Sequence, residues 1–430
     1  MRSPLYPASA YPDSVRYLYS LGNEVKTAKL GLDRMRALSA ALGNPEKSFR
    51  VVHIAGTNGK GSTAAMIASS LRAWGAKTGL YTSPHLVEPT ERISVGGEPV
   101  SPDEFASAFD RVHRAAEQLL RDGAIDIHPT YFETVTAMAF VLFRDRGVEW
   151  AVVEVGLGGR LDATNIVLPE LAVVTPVDFD HEAYLGRSLE SIAGEKAGIL
   201  KTGVKAVFAS QRPEVKRVLE AAAREVRAPY TSAEDWRVEE LEVTARGSRF
   251  TLQNRRELRI ECPLAGEHQV ANAVMAAAAL DSLGAPDRAI EDGIRTTRWP
   301  GRLEYVGTRP DIILDGAHNP SGARALAKYI EQFRKGRRLW LVYAAMRDKA
   351  VSEVAGILFP LADQVIATAP NQARAVRPEM IAEIAGHPHL RVAPRITDAL
   401  ALIADCPPED LVLITGSLYL VGEARPLLVK

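Results

Sequence analysis

Short apolar runs rich in β-branched residues alternate with helical patterns along the whole chain, which predicts parallel sheets with helices on both faces. In the first part, residues 50–54, 78–81, 150–155, 171–175 and 206–209 read as strands. Residues 130–144 are apolar on nearly every side, so this stretch predicts a buried central helix rather than an amphipathic one. From 236 to 261 Val, Leu, Thr and Phe alternate with Arg and Glu around Gly247, as expected of a small antiparallel hairpin element. Trp299, Pro300 and Gly301 then punctuate the chain as a linker. A second alternating unit follows, with strands at 312–314, 339–343, 364–367 and 411–414 and helices near 321–333, 350–357, 378–385 and 396–404. The expected class is α/β, divided at 1–298 and 299–430.

Composition narrows the picture. A chain of 430 residues exceeds one ordinary core and suits two domains. Its 52 Lys plus Arg balance 53 Asp plus Glu with no basic block, which argues against a nucleic-acid or membrane-surface partner. Cys262 and Cys406 stand far apart and outside any C-x-x-C, so neither a disulfide framework nor a zinc site is suggested, and a reducing cytoplasm fits. The opening MRSPLYPASAYPDSV lacks the apolar core of a signal peptide. The most apolar pieces, 137–143 and 273–280, are far shorter than a membrane span.

The clearest chemistry lies in AGTNGKGST, residues 55–63, directly after the apolar run 51–54. A strand feeding a glycine-rich turn into a helix cradles phosphate, because Gly56, Gly59 and Gly61 let backbone N–H groups close on anionic oxygens at the helix start. Thr57 and Asn58 belong to the same turn, and Lys60 adds a mobile positive charge. The spacing departs from the usual phosphate loop, since Gly61 stands where a hydroxyl is expected and Ser62 and Thr63 follow it.

GTNGKGS resembles the phosphate loop of folylpolyglutamate and dihydrofolate synthases of the Mur ligase superfamily. The resemblance continues in order through YTSPHL (81–86), ERI (91–93), EVGLGGRLDATN (154–165), DHEAYLG (180–186) and EKAGI (195–199). GEHQVANA (266–273), PGRLE (300–304), DGAHNP (315–320) and TGSLYLVGE (415–423) complete it. It implies a P-loop ATPase domain with a parallel sheet, a smaller Rossmann-like C-terminal domain, and an active site in the cleft between them. It also implies the reaction: ATP phosphorylates the carboxylate of a pteroate or folate, and the amine of L-glutamate displaces phosphate to form an amide. Such phosphoryl transfer needs charge neutralisers and positioners rather than covalent catalysts.

Lys60 would meet the β and γ phosphates, with Ser62 and Thr63 donating at the helix start. Glu154, at the end of a strand, suits a carboxylate facing the nucleotide. With Gly61 replacing the usual hydroxyl, the resemblance implies Ser83 as a magnesium ligand alongside Glu154. His181 by itself reads as a hydrogen-bonded structural group; the resemblance makes it a metal ligand. Lys196 by composition is a helix-face lysine, and the resemblance nominates it as a carbamylated lysine serving a second magnesium. Arg160 and Asp162 are placed by resemblance near the pterin or the transferred phosphate, and Asn272 and Arg302 near the nucleotide. Asp315 and His318 equally suit helix-capping turn chemistry, while the resemblance implies contacts to ATP and glutamate. Ser417 is a candidate glutamate-positioning hydroxyl.

The expected partners are therefore small molecules, with ATP and magnesium as cofactors and a monomeric, cytoplasmic enzyme. Two rivals share the loop. A cell-wall Mur ligase would need a further domain for its UDP-linked substrate, and about 50 residues before the loop are too few. A nucleotide-dependent switch would leave His181, Lys196 and the second domain unused.

Overall fold

The computed structural model describes residues 10–21, 31–347, 349–404 and 406–429. Two compact units emerge, and the chain passes between them more than once. The first comprises Met1–Val177, Ser188–Asp235 and Met275–Gly293, the second Asp178–Arg187, Trp236–Val274 and Ile294–Lys430.

The first unit is built on an eight-stranded sheet. Its strands are β1 (Arg50–Ala55), β2 (Thr78–Tyr81), β3 (Ile93–Val95), β4 (Glu98–Pro99), β5 (Trp150–Glu154), β6 (Leu171–Val174), β7 (Lys205–Phe208) and β8 (Tyr230–Ser232). They lie in the order β4-β3-β2-β5-β1-β6-β7-β8. The five predicted strands are there, within a residue at each end. β3 and β4 run antiparallel to their neighbours, while the rest of the sheet is parallel. β5 is buried along its whole length, as a strand covered on both faces must be.

Tyr131–Asp145 is the predicted central helix, buried without a break from Tyr131 to Phe143. Thr130 caps it, its hydroxyl accepting from the Glu133 N–H while the Glu133 carboxylate accepts from the Thr130 N–H. Pro102–Arg121, which lies between β4 and that helix, is amphipathic and buries Phe105, Phe109 and Val112.

The second unit holds two sheets. The segment expected to be a hairpin is a three-stranded antiparallel sheet of β9 (Arg237–Thr244), β10 (Gly247–Gln253) and β11 (Glu257–Cys262). The other has six strands: β12 (Glu304–Thr308), β13 (Asp311–Leu314), β14 (Leu339–Tyr343), β15 (Gln364–Ala367), β16 (Leu390–Val392) and β17 (Leu411–Thr415). Their order is β12-β13-β17-β14-β15-β16, with only β12 antiparallel to its neighbour. Among the described residues no helix is long and apolar enough to cross a membrane. Both cysteines are free and buried.

Candidate active site

Register brings the first group of candidate residues together. Ile54 pairs with Glu154, Tyr81 with Val153, and Ala55 with Val174, so residues 56–63, 82–83, 154–157 and 175–176 leave the sheet at one edge. This is the carboxyl edge, where parallel sheets bind ligands.

Gly56 turns the chain there with φ +148°, and a Cβ on it would stand 1.9 Å from the Thr175 hydroxyl. No side chain fits that position. The N–H groups of Thr57 and Asn58 donate to the Pro176 carbonyl at 2.9 and 3.3 Å, folding the loop back on the segment after β6. Gly59, left-handed at φ 83°, starts the helix Lys60–Ala73. Lys60 Nζ donates to the Thr57 carbonyl at 3.2 Å, and Ser62 and Thr63 are buried in the first turn. The Thr63 hydroxyl is shielded and has no hydrogen-bond partner among the described residues.

Glu154, 4% exposed, accepts from the Ser83 N–H at 3.2 Å. Lys196 is equally buried, near the end of the helix Leu189–Ala197, and its Nζ donates to the Gly56 carbonyl at 2.8 Å. The structure thus puts this lysine against the phosphate loop rather than on an exposed helix face. Arg160 contacts the residue before it: Nε and Nη2 donate to Glu195 Oε1 at 3.2 and 2.8 Å.

Asp162 organises the glycine-rich segment after β5. One of its oxygens accepts from the Gly156 and Leu157 N–H groups at 3.0 and 2.9 Å, and the other accepts from the Thr164 N–H and hydroxyl. Burial pushes its carboxyl up to about 6, against the opposing pull of those hydrogen bonds. The Thr164 hydroxyl lies 2.8 Å from Nε2 of His53 on β1, and burial, then Lys201, drives that ring down to about 3. His53, Thr164 and Asp162 therefore form a buried chain linking β1 to the segment after β5.

In the second unit, His181 and His318 meet around Asp180. His181 Nε2 is 3.9 Å from Asp180 Oδ1, and His318 Nε2 is 3.9 Å from Asp180 Oδ2. Lys349 Nζ lies 2.7 Å from Asp180 Oδ1 and 3.4 Å from His181 Nε2. Burial would raise the Asp180 carboxyl, but Lys349 and the two histidines outweigh it and hold it well below the usual range. His318 is pushed down to about 4 by burial and then by Lys349, against the pull of Asp180, and its Nδ1 lies 2.8 Å from the Gly316 carbonyl. Neighbouring Asn319 caps Pro320–Phe333 by accepting from the Gly322 N–H.

Asp315 accepts from the Leu303 N–H at 3.0 Å and the Ala317 N–H at 2.9 Å. A Cβ on Gly316 would come within 2.5 Å of an Arg302 nitrogen, so Gly316 makes room for that guanidinium. His268 shares the electrostatic environment of Asp315 and Arg302, and burial lowers its basicity. Asn272 donates to Gln269 at 2.9 Å on the helix Glu267–Ser282. Ser417 caps Leu418–Leu428, accepting from the Tyr419 N–H.

The Mur ligase middle domain matches residues 54–280, and the glutamate ligase domain of Mur ligases matches residues 301–418. The dihydrofolate synthase/folylpolyglutamate synthase of Bacillus subtilis is 35% identical over 428 residues, covering 97% of this chain and 99% of that protein. The chain belongs to the dihydrofolate synthase/folylpolyglutamate synthase family of Mur ligases. The structure of Mycobacterium tuberculosis folylpolyglutamate synthase complexed with ADP and AMPPCP aligns with a TM-score of 0.90 and 34% identity, covering 97% of this chain and 99% of that one. Escherichia coli FolC in complex with DHPP and ADP aligns with a TM-score of 0.87 and 33% identity, covering 98% and 99%. As a member of this family the protein is an ATP-dependent glutamate ligase, and a nucleotide switch does not account for kinship along the whole chain.

Sequence reasoning missed Lys349, His53 and His268. Lys349 stands 169 residues from Asp180, and no local pattern joins them. His53 sits inside an apolar strand run, where nothing but its polarity marks it.

Proposed function

We propose that the protein joins L-glutamate to dihydropteroate, giving dihydrofolate, and to the γ-carboxylate of a reduced folate. In both cases an acceptor carboxylate oxygen attacks the γ-phosphorus of ATP and ADP departs. The glutamate nitrogen then attacks the acyl carbon, the carbon–oxygen bond to phosphate breaks, and the nitrogen gives up its proton as the amide forms. The observation that carries this reading is the convergence of the phosphate loop, Glu154 with Ser83, and Lys196 at one sheet edge, in a chain akin to these synthases along its length.

In this reading Lys60 and the N–H groups of Gly59, Lys60 and Gly61 hold the phosphates, those of Thr57 and Asn58 being taken by the Pro176 carbonyl, and the Thr63 hydroxyl, unpartnered among the described residues, finds its acceptor there. Ser83 and Glu154 offer the oxygen donors that magnesium prefers, so the residues fit that ion. Bound magnesium would neutralise charge on the transferred phosphoryl group. His181 and a carbamylated Lys196 are the proposed ligands of a second ion. Carbamylation leaves one hydrogen on Nζ, so the bond to the Gly56 carbonyl can persist while the side chain turns from cation to anion. Asn272, Arg302 and Asp315 serve the nucleotide, Arg160 and Asp162 the pterin or phosphate, and His318 and Ser417 the glutamate. We assign ATP binding to the part of the chain within 1–298 and ligation to 299–430, although residues 178–187 and 236–274 group with the second unit rather than the first.

The test is product analysis by mass spectrometry after incubation with ATP, magnesium and L-glutamate, with dihydropteroate and tetrahydrofolate supplied separately. A glutamyl adduct of each is expected. An adduct of one acceptor alone would reduce the reading to a dedicated synthase.

A further inference from the structure

A second cluster of metal-binding side chains lies in the first unit, among residues that the proposed reaction does not use. His113 and Glu117 stand one turn apart on the helix Pro102–Arg121, which sets both on the same face. His128 reaches them from the segment before the helix Tyr131–Asp145. One donor atom from each of the three lies within 4.8 Å of the other two.

Three features prepare this cluster for a cation. His128 Nδ1 lies 2.9 Å from the Pro129 carbonyl, so it carries the hydrogen and leaves the Nε2 lone pair free, 4.0 Å from Glu117 Oε1. Among the described residues, His128 Nε2 and His113 Nδ1, both shielded from solvent, have no hydrogen-bond partner, whereas buried polar atoms are ordinarily paired. The rings are also held in place. His113 stacks on Phe109 with centroids 5.4 Å apart and planes at 8°, and Tyr17 packs edge-on against both histidines at 4.7 and 5.9 Å.

We propose that His113, Glu117 and His128 form a zinc site that ties the helix Pro102–Arg121 to the segment before Tyr131–Asp145. Two imidazoles and a carboxylate are a zinc donor set that leaves a fourth position to water, whereas magnesium and calcium select oxygen donors. Tetrahedral donors bound at about 2.0–2.1 Å stand about 3.4 Å apart, so the cluster must tighten slightly. Glu117, whose side chain is 34% exposed, has the freedom to close that distance. The site would also stiffen the packing of the helix Tyr11–Ser20, since Tyr17 lies on it.

The test is calorimetric titration of zinc chloride into the untagged, chelator-treated full chain without nucleotide, beside His113→Gln/His128→Gln, Glu117→Gln and His181→Ala. One zinc per chain is expected. Its affinity should fall at least tenfold in the double variant and severalfold in Glu117→Gln, and should survive His181→Ala. Glu117→Gln alters a partly exposed side chain, so the proposal stays testable if the double variant does not fold. Zinc should also raise the thermal midpoint of the wild type, and raise that of the Glu117 variant by less at the same concentration. No stoichiometric zinc, or zinc binding unaffected by these replacements or lost only in His181→Ala, would overturn the proposal.

Discussion

Lys196 Nζ donates to the Gly56 carbonyl across 140 residues of chain, which fastens the helix Leu189–Ala197 to the turn of the phosphate loop. A buried lysine in that position either stabilises the loop as a cation or, carbamylated, brings an anion to it. The two roles differ in their dependence on CO₂. With the carbamate in use, ligation should fall in CO₂-depleted buffer and return with bicarbonate. Lys196→Ala should lose at least a hundredfold in turnover, with partial rescue by small carboxylates. Activity indifferent to CO₂ would assign the lysine the purely cationic role.

Gly56→Ala should damage the loop more than its volume suggests. The new Cβ would meet the Thr175 hydroxyl at 1.9 Å and the Thr175 carbonyl at 3.0 Å, in a backbone conformation that side chains rarely adopt. The expected cost is about 1–3 kcal/mol in stability and at least a tenfold rise in KM for ATP. Adding Thr175→Ala should restore only part of this, because the carbonyl remains; full restoration would show that the hydroxyl was the whole obstacle.

Asp162 gives stability a pH dependence of defined sign. Its carboxyl is pushed up to about 6 in the folded chain from 3.8, so between those values the folded state holds a proton that the unfolded state has released. Stability therefore falls as pH rises through that window, by roughly 2 kcal/mol from about pH 4.5 to 6.5. Buried His53 and His85, both driven down to about 3, act in the opposite direction, so wild type must be compared with Asp162→Asn at each pH. Chemical unfolding should show the variant's deficit shrinking as pH rises. A constant deficit would mean that Asp162 is ionised throughout.

The strands were legible because buried parallel strands are written as short continuous apolar runs, and the central helix because Tyr131 to Phe143 leaves no polar face. The hairpin expected around Gly247 is β9 with β10, and the third strand, β11, is not separated from it in the sequence because the same alternation runs on through 261. In the site, Gly56, Lys60 and Glu154 stood out because phosphate binding demands glycines and charge at fixed spacing. Asp315 and Ser417 show the reverse. Asp315 makes the turn contact that pattern alone allowed, Ser417 caps a helix, and these contacts leave their part in ligation to experiment.

Lys349 carries the opposite charge to Asp180 in a pair whose side chains are only 11% and 12% exposed. Lys349→Met should strand that carboxylate and cost about 3–5 kcal/mol, while adding Asp180→Asn should recover most of the loss. Because Asp180 is held below its unfolded value, its stabilisation is present above about pH 4 and fades as pH falls. Lys349→Met should reduce that acid-sensitive part, leaving the share that His181 and His318 contribute. An additive double mutant would show that the two charges do not interact.

Phosphate release by the purified full chain, measured with ATP and magnesium in the presence and absence of L-glutamate and of an acceptor carboxylate, tests the account most directly. Sustained release should require both, and Lys60→Ala should abolish it while leaving the circular dichroism spectrum unchanged. Release at the same rate with ATP alone, or near-normal turnover by Lys60→Ala at saturating ATP, would contradict it.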